Sequence, residues 1–431
     1  GIYPKIAPYL RAVILENIQI DRAGGRGVAV GKTSDGKTVL VRGAAPGDVV
    51  DVRVVKRHKN YFEGRVDRVI TASALRVAPS CAHTESCGGC PWQHLGYPSQ
   101  AEFKASEVEE QLVRVGGVPR DGVVWNPFIS APVPFRYRNK TEFSFTFNRW
   151  KTRGEMDANP DSEHEPGLGF HVPGFWDKIL DVQDCHLIPD YGNEIRNALR
   201  DEAIALGLSF WQPRAKVGAL RTAMLRSNQS GDWMLIIQWG EHPGADGFSL
   251  MHRMAERFDR LVSLYWGLNE KVNDSMYDVD LHLFYGVETL EETMESAFEG
   301  GRALKFLISP KSFYQTNPQQ AHRLYSEALR AAGLKGGETV YDLYTGTGTI
   351  ALFMAQVAGK VVGVESVREA VDAAFRNAER NGITNATFEA GDMRRIFTPE
   401  FVERHGQPDV VVVDPPREGM HPAVVSELAR I

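Results

Sequence analysis

Apolar positions between residues 8 and 70 come in short alternating runs, VAVGK, KTVLVRG, VVDVRVVKR and YFEGRVDRVI, separated by GGRG, SDGK and APGD. A period of two turns one side of each run inward, and the glycine- and proline-bearing tetrads between them carry turn chemistry. Closely spaced short strands with glycine corners predict a small five-stranded barrel of the OB type. A second alternation, FRYRNKTEFSFTFNRWKTR at 135–153, interleaves Phe135, Tyr137, Phe143, Phe145, Phe147 and Trp150 with Arg136, Arg138, Lys140, Arg149, Lys151 and Arg153. As a strand it sends aromatic and basic side chains to opposite faces. One face would pack on a core and the other would meet either phosphate or plain solvent. Residues 154–300 read as mixed α/β, with strands or hairpins at QPRAKVGALRTAMLRS, DWMLIIQWGE and HLFYGVETL around a helix at MHRMAERFDRL. No chemistry is assigned there. In the last third, VYDLYTGTGTI, VVGVE, ATFEAGD and PDVVVVDPPREGMHP each place an apolar strand before a polar or glycine-rich end, with a helical run, ALFMAQVAG, after the first. That succession predicts parallel βα units.

Length and charge narrow the class. The chain has 431 residues, 43% of them hydrophobic, enough for two or three cores. No uninterrupted apolar run reaches the roughly 18 residues of a membrane helix, and GIYPKIAPYLRAVIL lacks the apolar core and cleavage site of a secretion signal. A cytoplasmic protein with no membrane partner is expected. The net charge of −6 hides an asymmetry: residues 1–70 hold 13 Lys and Arg against 7 Asp and Glu, leaving 36 against 48 elsewhere. A basic module on an acidic body is the pattern of a polyanion-binding appendage, or of a basic face that is merely solvated. In the module, Arg53, Lys56, Arg57, Lys59 and Arg65 are candidates to follow phosphates, with Tyr61 and Phe62 to stack on bases.

Three of the four cysteines stand in CAHTESCGGCPW with the spacing C-x5-C-x2-C, at Cys81, Cys87 and Cys90; the fourth is Cys185. So few cysteines do not make a disulfide scaffold in a chain of this length, and in a reducing compartment clustered thiols point to metal binding or catalysis. Zinc and an iron–sulfur cluster both accept four thiolates, and spacing does not separate them.

The turn in DLYTGTGTI places Gly346 and Gly348 after a strand, and Glu365 follows Gly346 by 19 residues at the tip of the next strand. Glycine admits a ligand close to the backbone, and an acid so placed can accept from ribose hydroxyls. Asp392 ends the third unit, where an adenine would be met. A dinucleotide and S-adenosylmethionine both suit such a site. The pyrophosphate fingerprint is incomplete, since Ala351 stands three residues after Gly348. The Asp-Pro-Pro at the end of the fourth strand favours S-adenosylmethionine and a nucleic-acid base.

With these motifs in view, the segment GRGVAVGKTSDGKTVLVRGAAPGDVVDVRVVKRHKNYFEGRV resembles a TRAM domain, an RNA-binding barrel. Together with SFYQTN (312–317), DLYTGTGTI, DPPREG and the four cysteines, the chain resembles the RNA uracil-5-methyltransferases, particularly the branch acting on 23S rRNA. The resemblance implies an N-terminal all-β TRAM barrel (8–70), a central α+β domain carrying an iron–sulfur site (71–305) and a Rossmann-like α/β methyltransferase domain (306–431). It implies a 4Fe-4S cluster on Cys81, Cys87, Cys90 and Cys185, with zinc as the alternative. S-adenosylmethionine contacts are implied at Gln315, Tyr344, Glu365 and Asp414, with Gly346 and Asp392 as secondary contacts. The partner is RNA, ribosomal rather than transfer RNA, and the protein is expected to be a monomer. In this family a cysteine thiolate adds to uracil C6, C5 then takes the methyl group, and a glutamate removes the C5 proton. The motif bearing that thiolate is not found up to Ile431, and no cysteine follows Cys185. The expectation is a C-terminally truncated chain, with nucleophile and base beyond Ile431, that by itself does not methylate. The alternatives are an exocyclic-amine nucleic-acid methyltransferase, against which Arg417 stands where a stacking aromatic is wanted, and a non-catalytic RNA-binding iron–sulfur protein.

Overall fold

The alternating N-terminal runs become β1 (Ile14–Ala23), β2 (Val28–Lys32), β3 (Thr38–Arg42), β4 (Val49–Arg57) and β5 (Tyr61–Thr71), a closed barrel in the order β1-β2-β3-β5-β4. The computed structural model describes residues 13–160, 164–298 and 300–431, the Arg153 side chain excepted; residues 8–12 of the expected barrel lie outside them. Ile18, Ile20, Val39, Val41, Val50 and Val52 alternate inward and are buried together, each contributing about 1.5–3 kcal/mol. The strands pair antiparallel except β3 with β5, and closure leaves no free edge. Asp48, fully buried, ties the barrel to the segment after it. Burial opposes its ionisation, but hydrogen bonds from Arg76, Ala45 and Ser73 outweigh that and hold the carboxyl below its usual range.

By internal contacts the chain divides into two compact units. The first holds the described residues up to Pro134 with 150–160 and 170–186; the second holds 135–149, 164–169 and 187 onward. In the first, the barrel is followed by the cysteine segment, helix α1 (Tyr97–Glu110), the short helix α2 (Arg153–Ala158) with a Thr152–Glu155 capping box, and strand β8 (Ile179–Asp181).

In the second unit, β6 (Lys140–Thr146) begins a mixed sheet, with Gly167–Gly169 of β7 (Gly167–His171) on one side of it. The helix α3 (Asp190–Ala205) is followed by β9 (Leu220–Ser227), β10 (Trp233–Trp239), α4 (Gly244–Arg257), β11 (Leu261–Leu268) and β12 (Leu281–Gly286). From its far edge the sheet runs β12-β11-β10-β9-β6. The second patterned stretch is a strand only over β6. Thr146 turns the chain there, its hydroxyl donating to the Asn148 carbonyl and accepting from the Asn148 amide. Thr141, Phe143 and Phe145 are buried on one face, as alternation requires. The expected phosphate-facing arginines are engaged within the protein: Arg136 pairs with Asp190, Arg138 donates to the Lys140 carbonyl, and Arg149 pairs with Glu165.

The hairpin β13 (Leu290–Met294) and β14 (Leu304–Ile308) leads to α5 (Pro318–Ala332). Asn317 caps α5 by accepting from the Gln320 amide, and Gly333, left-handed at φ 60°, ends it. Its buried face, Ala321, Tyr325 and Leu329, repeats every four residues. Next come β15 (Thr339–Leu343), α6 (Thr349–Ala355), β16 (Lys360–Glu365), α7 (Arg368–Arg380), β17 (Ala386–Ala390), α8 (Met393–Ile396), α9 (Pro399–His405), β18 (Val410–Val413) and α10 (Pro422–Leu428). The four strands are parallel in the order β17-β16-β15-β18. One buried cluster runs from Met224, Met234 and Ile236 through Phe306, Tyr314 and Tyr325 to Val340 and Leu352. No helix among the described residues is long and apolar enough to cross a membrane.

Candidate functional site

In the parallel sheet the strand order reverses at β15, whose neighbours are β16 and β18. Ligands of open α/β sheets bind outside the carboxyl ends of the strands at such a point. Tyr344, Glu365 and Asp414 stand at the carboxyl ends of β15, β16 and β18, and Asp392 lies two residues after β17. Four residues spread over 71 positions of sequence thus reach one edge because parallel strands all finish on the same side.

The turn after β15 is built from unusual backbone angles. Tyr344 is left-handed at φ 68°, a conformation costing a non-glycine residue about 1–2 kcal/mol, and Gly346 and Gly348 follow at 57° and 81°. A Cβ at Gly348 would stand 3.0 Å from that of Ala374 and 3.2 Å from the Phe388 ring, whereas at Gly346 it would meet nothing within 4 Å. Gly348 is needed for packing; Gly346 turns the chain beside open space. Glu365 holds this turn, accepting from the Gly346 amide at 3.1 Å and from the amides of Ser366 and Val367. Beneath it, Asp342 is fully buried; its Oδ2 accepts from the Thr345 hydroxyl at 2.5 Å and its Oδ1 has no close hydrogen-bond partner among the described residues. Burial first, then the neighbouring Asp414 and Glu365 carboxylates, push its pKa up to about 7 against the opposing pull of the Thr345 hydroxyl and the Ala351 amide. The floor of the turn therefore favours a proton or a nearby positive charge.

Asp392 caps α8 through the Arg394 amide and pairs with the Arg394 guanidinium, which pulls its pKa down to about 2. Its carboxylate is thus already engaged by Arg394. Asp414 is exposed, within electrostatic range of the buried Tyr325 hydroxyl. That hydroxyl, raised chiefly by burial, hydrogen-bonds the side chain of Gln315. Gln315 sits in SFYQTN, and the residues fixing this loop are absent from the sequence expectations. The Asn139 side chain donates to the Gln315 carbonyl at 3.0 Å, and its amide donates to the Thr316 carbonyl. Arg226, 2% exposed, donates from one nitrogen to the carbonyls of Ser309, Pro310 and Ser312. Neither Arg226 nor Asn139 is marked by the pattern of residues along the chain.

In the first unit Cys81, Cys87, Cys90 and Cys185 are partly buried. Burial raises Cys87 and Cys90, and each is raised further by the negative charge the other cysteines would carry. Cys87 and Cys185 both pack against Val172, Leu180 and Val182. The donor set suits a thiophilic cation, which would relieve that repulsion. Among the described residues no three His, Cys, Asp or Glu side chains already stand in metal-holding geometry. On the barrel, Lys56, Arg57, Lys59 and Arg65 are exposed, while Arg53 pairs with Asp67. The two aromatic candidates are partly covered: Tyr61 stacks on His58 and Phe62 lies under Lys37.

Comparison with known proteins agrees with this layout. Residues 16–66 match the TRAM domain family and residues 334–415 a methyltransferase domain family. An RNA methyltransferase of Porphyromonas gingivalis is 42% identical over 399 residues, covering 91% of this chain and 84% of that protein. One from Chlorobaculum tepidum is 34% identical over 416 residues, covering 93% and 82%. Among solved structures, the Pyrococcus abyssi tRNA (uracil-54, C5)-methyltransferase in complex with S-adenosyl-L-homocysteine superposes with a TM-score of 0.69 at 27% identity, covering 96% of this chain and 87% of that one. A TRAM barrel and a methyltransferase sheet in one chain, with relatives aligned along nearly all of it, place this protein in the RNA methyltransferase family.

Proposed function

We propose that the protein uses S-adenosylmethionine to methylate C5 of a uridine in RNA, with 23S rRNA the favoured substrate. The observation that carries this reading is the convergence of Tyr344, Glu365 and Asp414 on the carboxyl edge of the parallel sheet. Glu365 would accept from the ribose, Tyr344 and Gly346 would line the cofactor, and Gln315 and Asp414 would stand where the methyl group meets the base. Asp392, already paired with Arg394, is kept as a secondary contact. The solved relative named for C5 of uracil supports the choice of atom. Uracil C5 becomes nucleophilic once a thiolate adds to C6, so the reaction needs a cysteine and a base for the C5 proton. The four cysteines lie together in the first unit and the cluster reading takes all four, so none of them is assigned to this step. Lys56, Arg57, Lys59 and Arg65 on the barrel would follow RNA phosphates, and the TRAM domain supports this.

The test is to supply the full-length gene product with methyl-labelled S-adenosylmethionine and either rRNA or tRNA, and to digest the RNA to nucleosides. Label in 5-methyluridine is expected, with rRNA the better substrate. Label in an N-methylated adenosine or cytidine would transfer the assignment to the exocyclic-amine enzymes.

Cys81, Cys87, Cys90 and Cys185 would hold a 4Fe-4S cluster, which supplies a covalent tie between the 81–90 segment and the strand region before Cys185. Anaerobically purified protein should contain iron and acid-labile sulfide in equal amounts, and Cys185→Ser should lower both. Stoichiometric zinc without iron would replace the cluster with the alternative metal.

A further inference from the structure

Lys140 and Glu142 project from β6 on the face opposite Thr141, Phe143 and Phe145. Among the described residues neither the Lys140 ammonium nor the Glu142 carboxylate has a hydrogen bond or an ion pair. Their neighbours place them beside the loop that carries Gln315. Asn139, next to Lys140, binds the carbonyls of Gln315 and Thr316. Across the ladder Lys140 faces Arg226, which holds the carbonyls of Ser309, Pro310 and Ser312. A third side is formed by the chain after β11. Asp274 there pairs with the buried Arg221 and lies within electrostatic range of Glu142. Met276 shares a buried cluster with Tyr314.

Glu142 is solvent-accessible, yet burial raises its carboxyl above the ordinary range. Lys140 is half-buried, and burial lowers its ammonium. Both side chains therefore reach solvent while neighbouring segments crowd around them. Each charge lies within electrostatic range of the other but has no hydrogen-bond partner among the described residues, and a ligand that supplies such partners offsets the cost of burial.

We propose that Lys140 and Glu142 read the edge of the target uracil. Residues two apart on a strand stand about 7 Å apart at Cα and point the same way, so two such side chains can meet neighbouring atoms of one base edge. Uracil offers a donor at N3–H beside an acceptor at O4. Glu142 accepts from N3–H and Lys140 donates to O4, the oxygen on which negative charge collects once C6 has been attacked. Cytosine presents the reverse, an acceptor at N3 and a donor at its amine, and meets a charge mismatch at both positions. The pair forms hydrogen bonds only and transfers no proton. This deepens the reading given under Proposed function and depends on it for the identity of the base.

The test uses the full-length gene product and the RNA that it methylates. Lys140→Met is expected to lower kcat about 100-fold with KM little changed, because the O4 contact strengthens in the transition state. Lys140→Arg should recover at least a tenth of the activity. Glu142→Gln should lower kcat/KM about tenfold and narrow the preference for uridine over cytidine at the target position. All three should bind S-adenosylhomocysteine within about twofold of the wild type, which a merely structural role would not allow. Should Lys140→Met fail to fold, Lys140→Arg and Glu142→Gln decide. Wild-type protein that makes 5-methyluridine, with all variants within threefold of it, would overturn the proposal and leave the uracil reading intact. Wild-type label in any other nucleoside would overturn both.

Discussion

Replacing Glu365 by Ala should weaken S-adenosylmethionine binding by about 100-fold or more while the protein stays folded. Three backbone amides, of Gly346, Ser366 and Val367, donate to this carboxylate. It therefore both shapes the glycine turn and fixes the start of α7. Hydrogen bonds to a charged acceptor contribute roughly 1.5–3 kcal/mol each, and losing two to a ribose together with the Gly346 tether reaches that fold-change. Glu365 lies at the end of its strand and is only half-buried, so the amides it leaves can turn to water and the cost to folding should be small. Glu365→Gln keeps an acceptor for Gly346 but loses the charge, and about a tenfold effect is expected. Titration calorimetry with S-adenosylhomocysteine, set beside a thermal melt, reads both quantities. Unchanged affinity in Glu365→Ala would remove this strand end from the cofactor site.

Arg226→Met should have the largest effect on stability, about 3–5 kcal/mol. Burial pulls even this guanidinium down to about pKa 10, and it is retained because three carbonyls of one loop converge on it. Methionine fills much of the same volume but leaves the Pro310 and Ser312 carbonyls unsatisfied, at about 1–3 kcal/mol for each buried group that water does not reach, while Ser309 still accepts from the Ser312 amide and hydroxyl. These carbonyls lead directly into SFYQTN, so the loss should also weaken cofactor binding through Gln315. Lysine offers donors but not the planar fork and should rescue only in part. Urea denaturation of wild type, Arg226→Met and Arg226→Lys measures the series. A methionine variant within 1 kcal/mol of the wild type would show that water takes over the Pro310 and Ser312 carbonyls.

Much of the carboxyl edge of the parallel sheet was legible because it is local. A strand followed by a glycine turn, an acid at the tip of the next strand and an Asp-Pro-Pro after the fourth each declare themselves within a few residues. Parallel strands then bring such ends together without any further instruction. The barrel was legible for a related reason: period-two alternation between glycine corners has few packed solutions. The basic stretch at 135–153 misled in part, since alternation is blind to partners. Asp190, the Lys140 carbonyl and Glu165 take up arginines that the pattern left free for phosphate.

The sequence by itself determined the two recognisable modules, their order, and the residues placed at the carboxyl edge of the parallel sheet, because each rests on short-range pattern. Only the tertiary structure decided which long-range partners hold that edge in place. Asn139 and Arg226 reach the SFYQTN loop across 176 and 83 positions of sequence, and Lys140 and Glu142 are set beside Arg226 and Asp274 from segments far along the chain. Such contacts depend on where strands are brought by the packing of their apolar faces. A carbonyl met by an arginine in space leaves no periodic trace along the chain.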